Sequence, residues 1–203
     1  MKKILLLILF FSSSIILTFG QKFFENKQYE FSIQEPKDWI ITNNPELIKN
    51  LENMEVSEKA LSKLIADYKG SILLTSFYKY NPKTHAGLIP IIQINVRSKS
   101  GSNFEQFKNV ILESAKGFKQ YFADFEYVEE PKEVLISGIK SIFFVGKFTM
   151  KTQDGQELKV RSRTYAIPYK SYFFQVNFTD GQVKEDCSKV FDELSKTIVI
   201  GRK

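Results

Sequence analysis

A chain that performs acid–base or nucleophilic chemistry usually carries histidine or cysteine where a partner can reach it. This one carries one of each, His85 and Cys187. A Ser-His-Asp triad would have to use His85, and no serine sits in a Gly-x-Ser-x-Gly elbow. A zinc site of the usual kind needs more nitrogen and sulfur ligands than this pair supplies. His85, in "NPKTHAGLIP", reads as a loop residue. Cys187 falls on the apolar stripe of the C-terminal helical pattern and reads as a small core residue. Neither glycine-rich phosphate fingerprint is present. "DGQELK" and "FTDGQVKED" lack the alternating oxygen ligands of a calcium loop. Glu25, Glu129 and Glu130 are carboxylates to which spacing assigns no partner, so a glycosidase-type pair could arise only from the fold. Asn177-Phe178-Thr179 fits a glycosylation sequon but lies inside a strand pattern. The expectation is a non-enzyme with no catalytic, cofactor-binding or metal-binding residue.

The one cluster that spacing does assemble is basic. In "KFTMKTQDGQELKVRSRTY" the Asp154-Gly155 pair marks a hairpin turn. A two-residue loop would set Met150 against Lys159 and Phe148 against Arg161, mixing core and charge on one face. A three-residue loop puts Gly155 in the left-handed position and faces Thr152 with Gln156. Met150 then meets Leu158, Phe148 meets Val160, and Lys151 meets Glu157 in a favourable cross-strand pair. A one-residue slip would undo this segregation, so the three-residue loop is the expected register. It gathers Lys147, Lys159, Arg161 and Arg163 on one face, with Phe143 and Tyr165 at its far end. Lys147, Lys159, Arg161, Arg163 and Tyr165 form the candidate binding patch, for an anion or a protein partner. The plainer reading is a solvated end of a long hairpin.

The elements that hold this hairpin follow from hydrophobic period. "YEFSIQ" alternates with period two, and Pro36 ends it because it cannot donate to a ladder. A short strand starts at Trp39. Asn44 and Pro45 then open a helix, and a second is expected from Ser57 to Gly70, with Leu61, Leu64, Ile65 and Tyr68 as its stripe. "SILLTSFYKY" and "IPIIQINVRS" read as strands. Ser102 and Glu105 suggest a capping box for a helix carrying Phe104, Phe107, Ile111, Phe118 and Phe122. Strands around Tyr127, Val134 and Ile142, the basic hairpin and "SYFFQVNFT" follow. The last helix is expected from Gln182 to Lys196, with Val183, Cys187, Val190, Phe191 and Leu194 on one face, and "TIVIG" closes as a strand. Short turns between consecutive strands imply antiparallel pairing. "SGIKSIFFVGKF" is apolar on both faces, which implies layers on both sides. The fold class is therefore α/β of the α+β type: a three-layer α/β/α sandwich with a central, mostly antiparallel sheet.

Composition adds a location. "MKK", the apolar run "ILLLILFF" and small residues up to Gly20 have the layout of a secretory leader, residues 1–20, ahead of a single domain over 21–203. Sixteen residues from Ile4 to Phe19, four of them Ser or Thr, are short for a spanning helix of about 20 apolar residues, so cleavage is favoured over an uncleaved anchor. Losing Lys2 and Lys3 from 29 basic residues, against 23 acidic ones, leaves a mild +4. That argues against a nucleic-acid partner. One cysteine allows no internal disulfide, and nineteen phenylalanines with nine tyrosines supply burial instead.

Several segments in order resemble PsbP-like and Mog1-like domains. "FSIQEPKDWII" is similar to their opening strand, proline and tryptophan. "IPIIQINVRSKSGSNFEQF" is similar to the strand leading into the serine-capped helix, and "VLISGIKSIFFVGKFT" to the strand after a glycine turn. "TYAIPYKSYFFQVNFT" and "VFDELSKTIVI" are similar to the closing strand, helix and short strand. The insert between Pro45 and Gly70 is longer than the pattern. The resemblance spans residues 28–200 and implies an antiparallel sheet between helices, in a non-catalytic domain that docks onto other proteins; no functional residue is carried over with it. The resulting expectation is an exported periplasmic or secreted accessory domain that binds another envelope protein, with no stable membrane insertion after cleavage. A small-molecule or lipid carrier and an enzyme with an unrecognised carboxylate site are the alternatives.

Overall fold

The computed structural model describes residues 21–43, 70–152 and 154–201. The expected leader and the helices expected between Asn44 and Gly70 lie outside the described residues. Among the described residues ten strands and three helices follow in order: β1 Phe23–Asn26, β2 Phe31–Gln34, β3 Ile40–Asn43, β4 Ser71–Tyr78, β5 Ile91–Ser98, α1 Phe104–Lys116, α2 Phe118–Tyr121, β6 Glu126–Ile136, β7 Ile139–Lys151, β8 Glu157–Tyr169, β9 Tyr172–Gly181, α3 Ser188–Ser195 and β10 Val199–Ile200. Seven strands form one sheet in the order β3-β4-β5-β9-β8-β7-β6, and every pairing is antiparallel. A second sheet, β1-β2-β10, is antiparallel too.

Both faces of the large sheet are buried, as the two-sided apolar run of β7 requires. On one face Phe107, Ile111 and Ala115 of α1 pack on Ile142, Phe144, Ala166 and Phe173. On the other, Phe31 of β2 lies 4.9 Å from Phe174, and Phe191 of α3 lies 5.2 Å from Phe178. The third layer is thus a three-stranded sheet joined by one short helix, where the sequence led us to expect helices alone. The alternation of Phe24, Phe31 and Ile33, all buried, makes this N-terminal segment a strand pair. "FFEN" was too short to register as a strand by period, and Tyr29 occupies the turn after it, fully buried, with its hydroxyl pushed up to about 12 by desolvation. Trp39 packs edge-on against Phe191 at 6.1 Å, which ties the proline break to the third layer.

Two helix boundaries differ from expectation. The capping box is shifted by one residue. Asn103, not Ser102, is the N-cap, and its Oδ1 accepts from the Gln106 backbone N–H at 3.0 Å. Gln106 reaches back, its Oε1 accepting from the Ser102 N–H at 2.8 Å. Asn caps as well as Ser, and Gly101 permits the approach: its φ is +90°, and a Cβ there would lie 2.7 Å from Gln106 Cβ. The last helix begins at Ser188 and not near Gln182, leaving Val183 87 % exposed and only Cys187, Phe191 and Leu194 of its expected stripe buried. The turn forbids an earlier start. A Cβ on Gly181 would sit 1.8 Å from the Lys184 carbonyl oxygen, and Glu185 is left-handed at φ +62°.

The cap gives a direct test. Asn103→Ala should cost about 1 kcal/mol in urea unfolding, and Ser102→Ala distinctly less. The reverse order would place the cap on Ser102.

Candidate functional site

The β7–β8 hairpin has the three-residue register. Lys151 pairs with Glu157, Met150 with Leu158, Phe148 with Val160 and Lys147 with Arg161. Thr152 donates its N–H to Gln156 O at 2.9 Å, and Gly155 has φ +84°. Lys147, Lys159, Arg161, Arg163 and Tyr165 therefore share the sheet face that carries the third layer.

The structure divides them by depth. Lys147 and Lys159 have side chains 42 % and 59 % exposed, with Glu126 at 2.8 Å from the first and Asp124 at 3.9 Å from the second. Lys159 also donates to Thr149 Oγ1 at 2.7 Å. Arg161 and Arg163 have side chains only 15 % and 10 % exposed, and both point at Asp180, whose side chain is fully buried. Arg161 grips it bidentately, Nε to Oδ1 at 2.9 Å and Nη2 to Oδ2 at 2.8 Å. Arg163 Nη1 stands 3.5 Å from both oxygens. The Cys187 backbone N–H donates to Oδ2 at 2.8 Å. Arg161 also reaches Asp186 at 2.7 Å, and Arg163 donates to Ser188 Oγ while its guanidinium lies 5.5 Å from the Phe191 ring centre. The bonds to Asp180, then to Asp186, raise the Arg161 pKa. Donation from the Ser188 hydroxyl and N–H, and then from Arg161, holds the Asp186 carboxyl well below its ordinary value. Tyr165 is core: its ring is 4.6 Å from Phe143 and 5.8 Å from Phe178, and burial raises its hydroxyl pKa.

Asp180 is the residue that sequence reasoning missed, and a signal for it was present. It continues the period-two stripe Phe174, Val176, Phe178 at the next inward position. An acid that extends a buried stripe calls for a cation on the neighbouring strand.

The reactive singletons are accounted for. His85 stacks on Tyr80, with ring centres 4.2 Å apart. Tyr80 and Lys79 both donate to Glu185, at 2.8 and 2.7 Å. The Cys187 thiol is buried and burial raises its pKa, which suppresses the thiolate. Glu129 is paired with Lys132, and Glu25 lies on the exposed side of β1. Asn177, in mid-strand, accepts from Thr164 Oγ1 at 3.1 Å and from Gln175 Nε2 at 3.3 Å. Among the described residues no group of three or more His, Cys, Asp or Glu side chains could hold a metal ion, and no helix is long and apolar enough to cross a membrane.

No protein-family model matches the chain, and no curated protein matches it in sequence. Solved structures do. The solution structure of cyanobacterial PsbP from Synechocystis sp. PCC 6803 superposes with a TM-score of 0.50 at 7 % identity, over 94 % of this chain and 99 % of that one. A protein from Bacteroides thetaiotaomicron VPI-5482 gives 0.49 at 15 % identity over 90 % of this chain; the chain spans about half the length of that protein, 49 %. LpqN of Mycobacterium tuberculosis, described as involved in cell envelope biogenesis, gives 0.47 at 13 % identity, over 90 % of this chain and 86 % of that one. The fold is PsbP-like, as the sequence segments implied.

Two outcomes test the Asp180 cluster. Asp180→Asn leaves the largely buried Arg163 guanidinium without its counter-ion and Arg161 with Asp186 alone, and should cost about 3–5 kcal/mol in urea unfolding. Acid should weaken the fold through Asp186. Its carboxyl binds a proton less readily in the folded chain than at its ordinary 3.8, so its contribution is present above that value and lost as pH falls below it. Unfolding free energy should therefore fall between about pH 5 and pH 2, and Asp186→Asn should flatten that slope.

Proposed function

We propose that the chain is an exported, non-catalytic accessory domain that docks onto another protein of the bacterial envelope. Support comes from the leader-like residues 1–20, from the PsbP-like fold with its docking precedent among the domains the sequence resembles, and from the chemistry of the hairpin end. The observation that carries it is what the charged groups at that end do. Asp180 and Asp186, the acids that converge there, are occupied by Arg161 and Arg163, and so serve as ties between strand, loop and helix. What this leaves outward is a rim of mixed charge, with Lys147 and Lys159 as its exposed cations and Glu126 and Asp124 beside them. In the candidate patch Arg161, Arg163 and Tyr165 hold the surface, while the two lysines meet the partner. A rim of this kind steers and orients a partner more than it supplies raw affinity.

The test is capture from envelope fractions of the native bacterium on the mature domain, with crosslinking. One partner should be recovered in stoichiometric yield, and recovery should fall as salt is raised toward about 0.5 M. The Lys147→Gln, Lys159→Gln double variant, which removes both charges without setting a carboxylate against Glu126 or Asp124, should lose most of it with its thermal midpoint little changed. Capture equal to wild type by that variant would remove the hairpin rim from the interface. Recovery no better than background from wild type would sink the docking reading.

A further inference from the structure

The opposite face of the large sheet carries a second feature, independent of the hairpin rim. Beside α1 a groove of about 550 Å³ runs over β5, β9 and β8. That is within the usual size range of small-ligand sites. One wall is apolar: Val110, 41 % exposed, and the half-buried Phe118 face the groove, with the buried Ile111 and Ala115 beneath them. The other wall is polar and has one charged member, Arg97. Its Nη1 donates to Gln175 Oε1 at 2.7 Å, a neutral acceptor. Arg97 thereby differs from Lys147, Lys159, Arg161 and Arg163, each of which has a carboxylate within reach.

A groove with one apolar wall and one cation that, among the described residues, has only an amide for a partner is complementary to a singly charged amphipathic anion. Its chain would replace water along the helix, and its head would take the guanidinium donors that Gln175 leaves unused. We propose that this groove binds an aliphatic carboxylate, the chain lying along Val110 and Phe118 over the buried Ile111 and Ala115, and the carboxylate on Arg97. Arg presents its donors in a planar fork that matches a carboxylate bidentately, and one cation fits one negative charge.

The experiment titrates the protein with dodecanoate below its micellar concentration, with dodecan-1-ol and acetate as chain-only and head-only probes. Binding is followed by the methyl resonances of Val110, Ala115 and Ala166 and by the thermal midpoint. Dodecanoate should saturate and move these methyls, dodecanol should bind more weakly, and acetate should not bind. Arg97→Gln should weaken dodecanoate about tenfold while leaving dodecanol unchanged, as expected for one solvent-accessible charge-assisted contact. Ser114→Trp, at an exposed helix position on the groove's mouth, should weaken both long-chain probes with helix content intact. The proposal is overturned if dodecanoate fails to saturate, if Arg97→Gln binds dodecanoate as wild type does, or if Ser114→Trp leaves both long-chain affinities unaltered.

Discussion

The arrangement of the C-terminal third depends on one buried charge. A carboxylate removed entirely from water costs several kcal/mol unless its oxygens are satisfied by charged or well-aimed donors. Asp180 meets that demand with Arg161 in a bidentate grip, Arg163 beside it and the Cys187 N–H. Each partner comes from a different place in the chain. The arginines fix β8 against β9, and the N–H fixes the end of the loop after β9. With Cys187 held, α3 can start only at Ser188, and its first turn is set by Arg163 on Ser188 and by Asp186 on the Ser188 N–H. From that starting point Phe191 and Leu194 fall onto the sheet, and Trp39 closes over Phe191. The third layer is therefore aimed by an electrostatic constraint and filled by apolar burial.

This constraint explains which parts of the structure the sequence made legible. The hairpin register was readable because everything that decides it is local: an Asp-Gly turn, alternation on both arms, and the opposite charges of Lys151 and Glu157. The two-sided burial of β7 was readable for the same reason. The start of α3 was not. A 3.6-residue pattern over Gln182 to Lys196 contained Val183 by coincidence, and the tie that overrides it runs from Asp180 to residues on another strand. The cap of α1 was misplaced by a single residue because Ser102 and Asn103 both cap well and the choice falls to the Gln106 side chain. Of the first strand pair, β2 was legible in the alternation of "YEFSIQ", whereas the four residues of β1 were too few for a period to declare itself.

The basic cluster shows the same division between proximity and fate. Spacing alone brought Lys147, Lys159, Arg161 and Arg163 to one face. It could not say which would be spent internally, because that depends on the layer above the strand. Moving along the hairpin from its turn toward the sheet interior, the side chains pass from Lys159, 59 % exposed, to Arg161 and Arg163 beneath α3, and then to Tyr165 in the core. The residue types track that depth. Lysine keeps its strongly hydrated ammonium at the wet end, whereas arginine, more weakly hydrated and able to fork, occupies the buried end.

The two faces of the large sheet thus use cations in opposite ways. On the face under α3, burial and counter-ions neutralise the arginines and turn them into ties. On the face under α1, the covering helix leaves a margin, and Arg97 at that margin has an amide for company instead of an acid. Charge that is already neutralised contributes shape and rigidity to recognition. Charge at an apolar margin, with no counter-ion among the described residues, suits the proposed selectivity for an anion, because the guanidinium is anchored on Gln175 and the ligand needs to reorganise little around it. The proposed docking rim and the proposed groove then lie on opposite faces of one seven-stranded sheet.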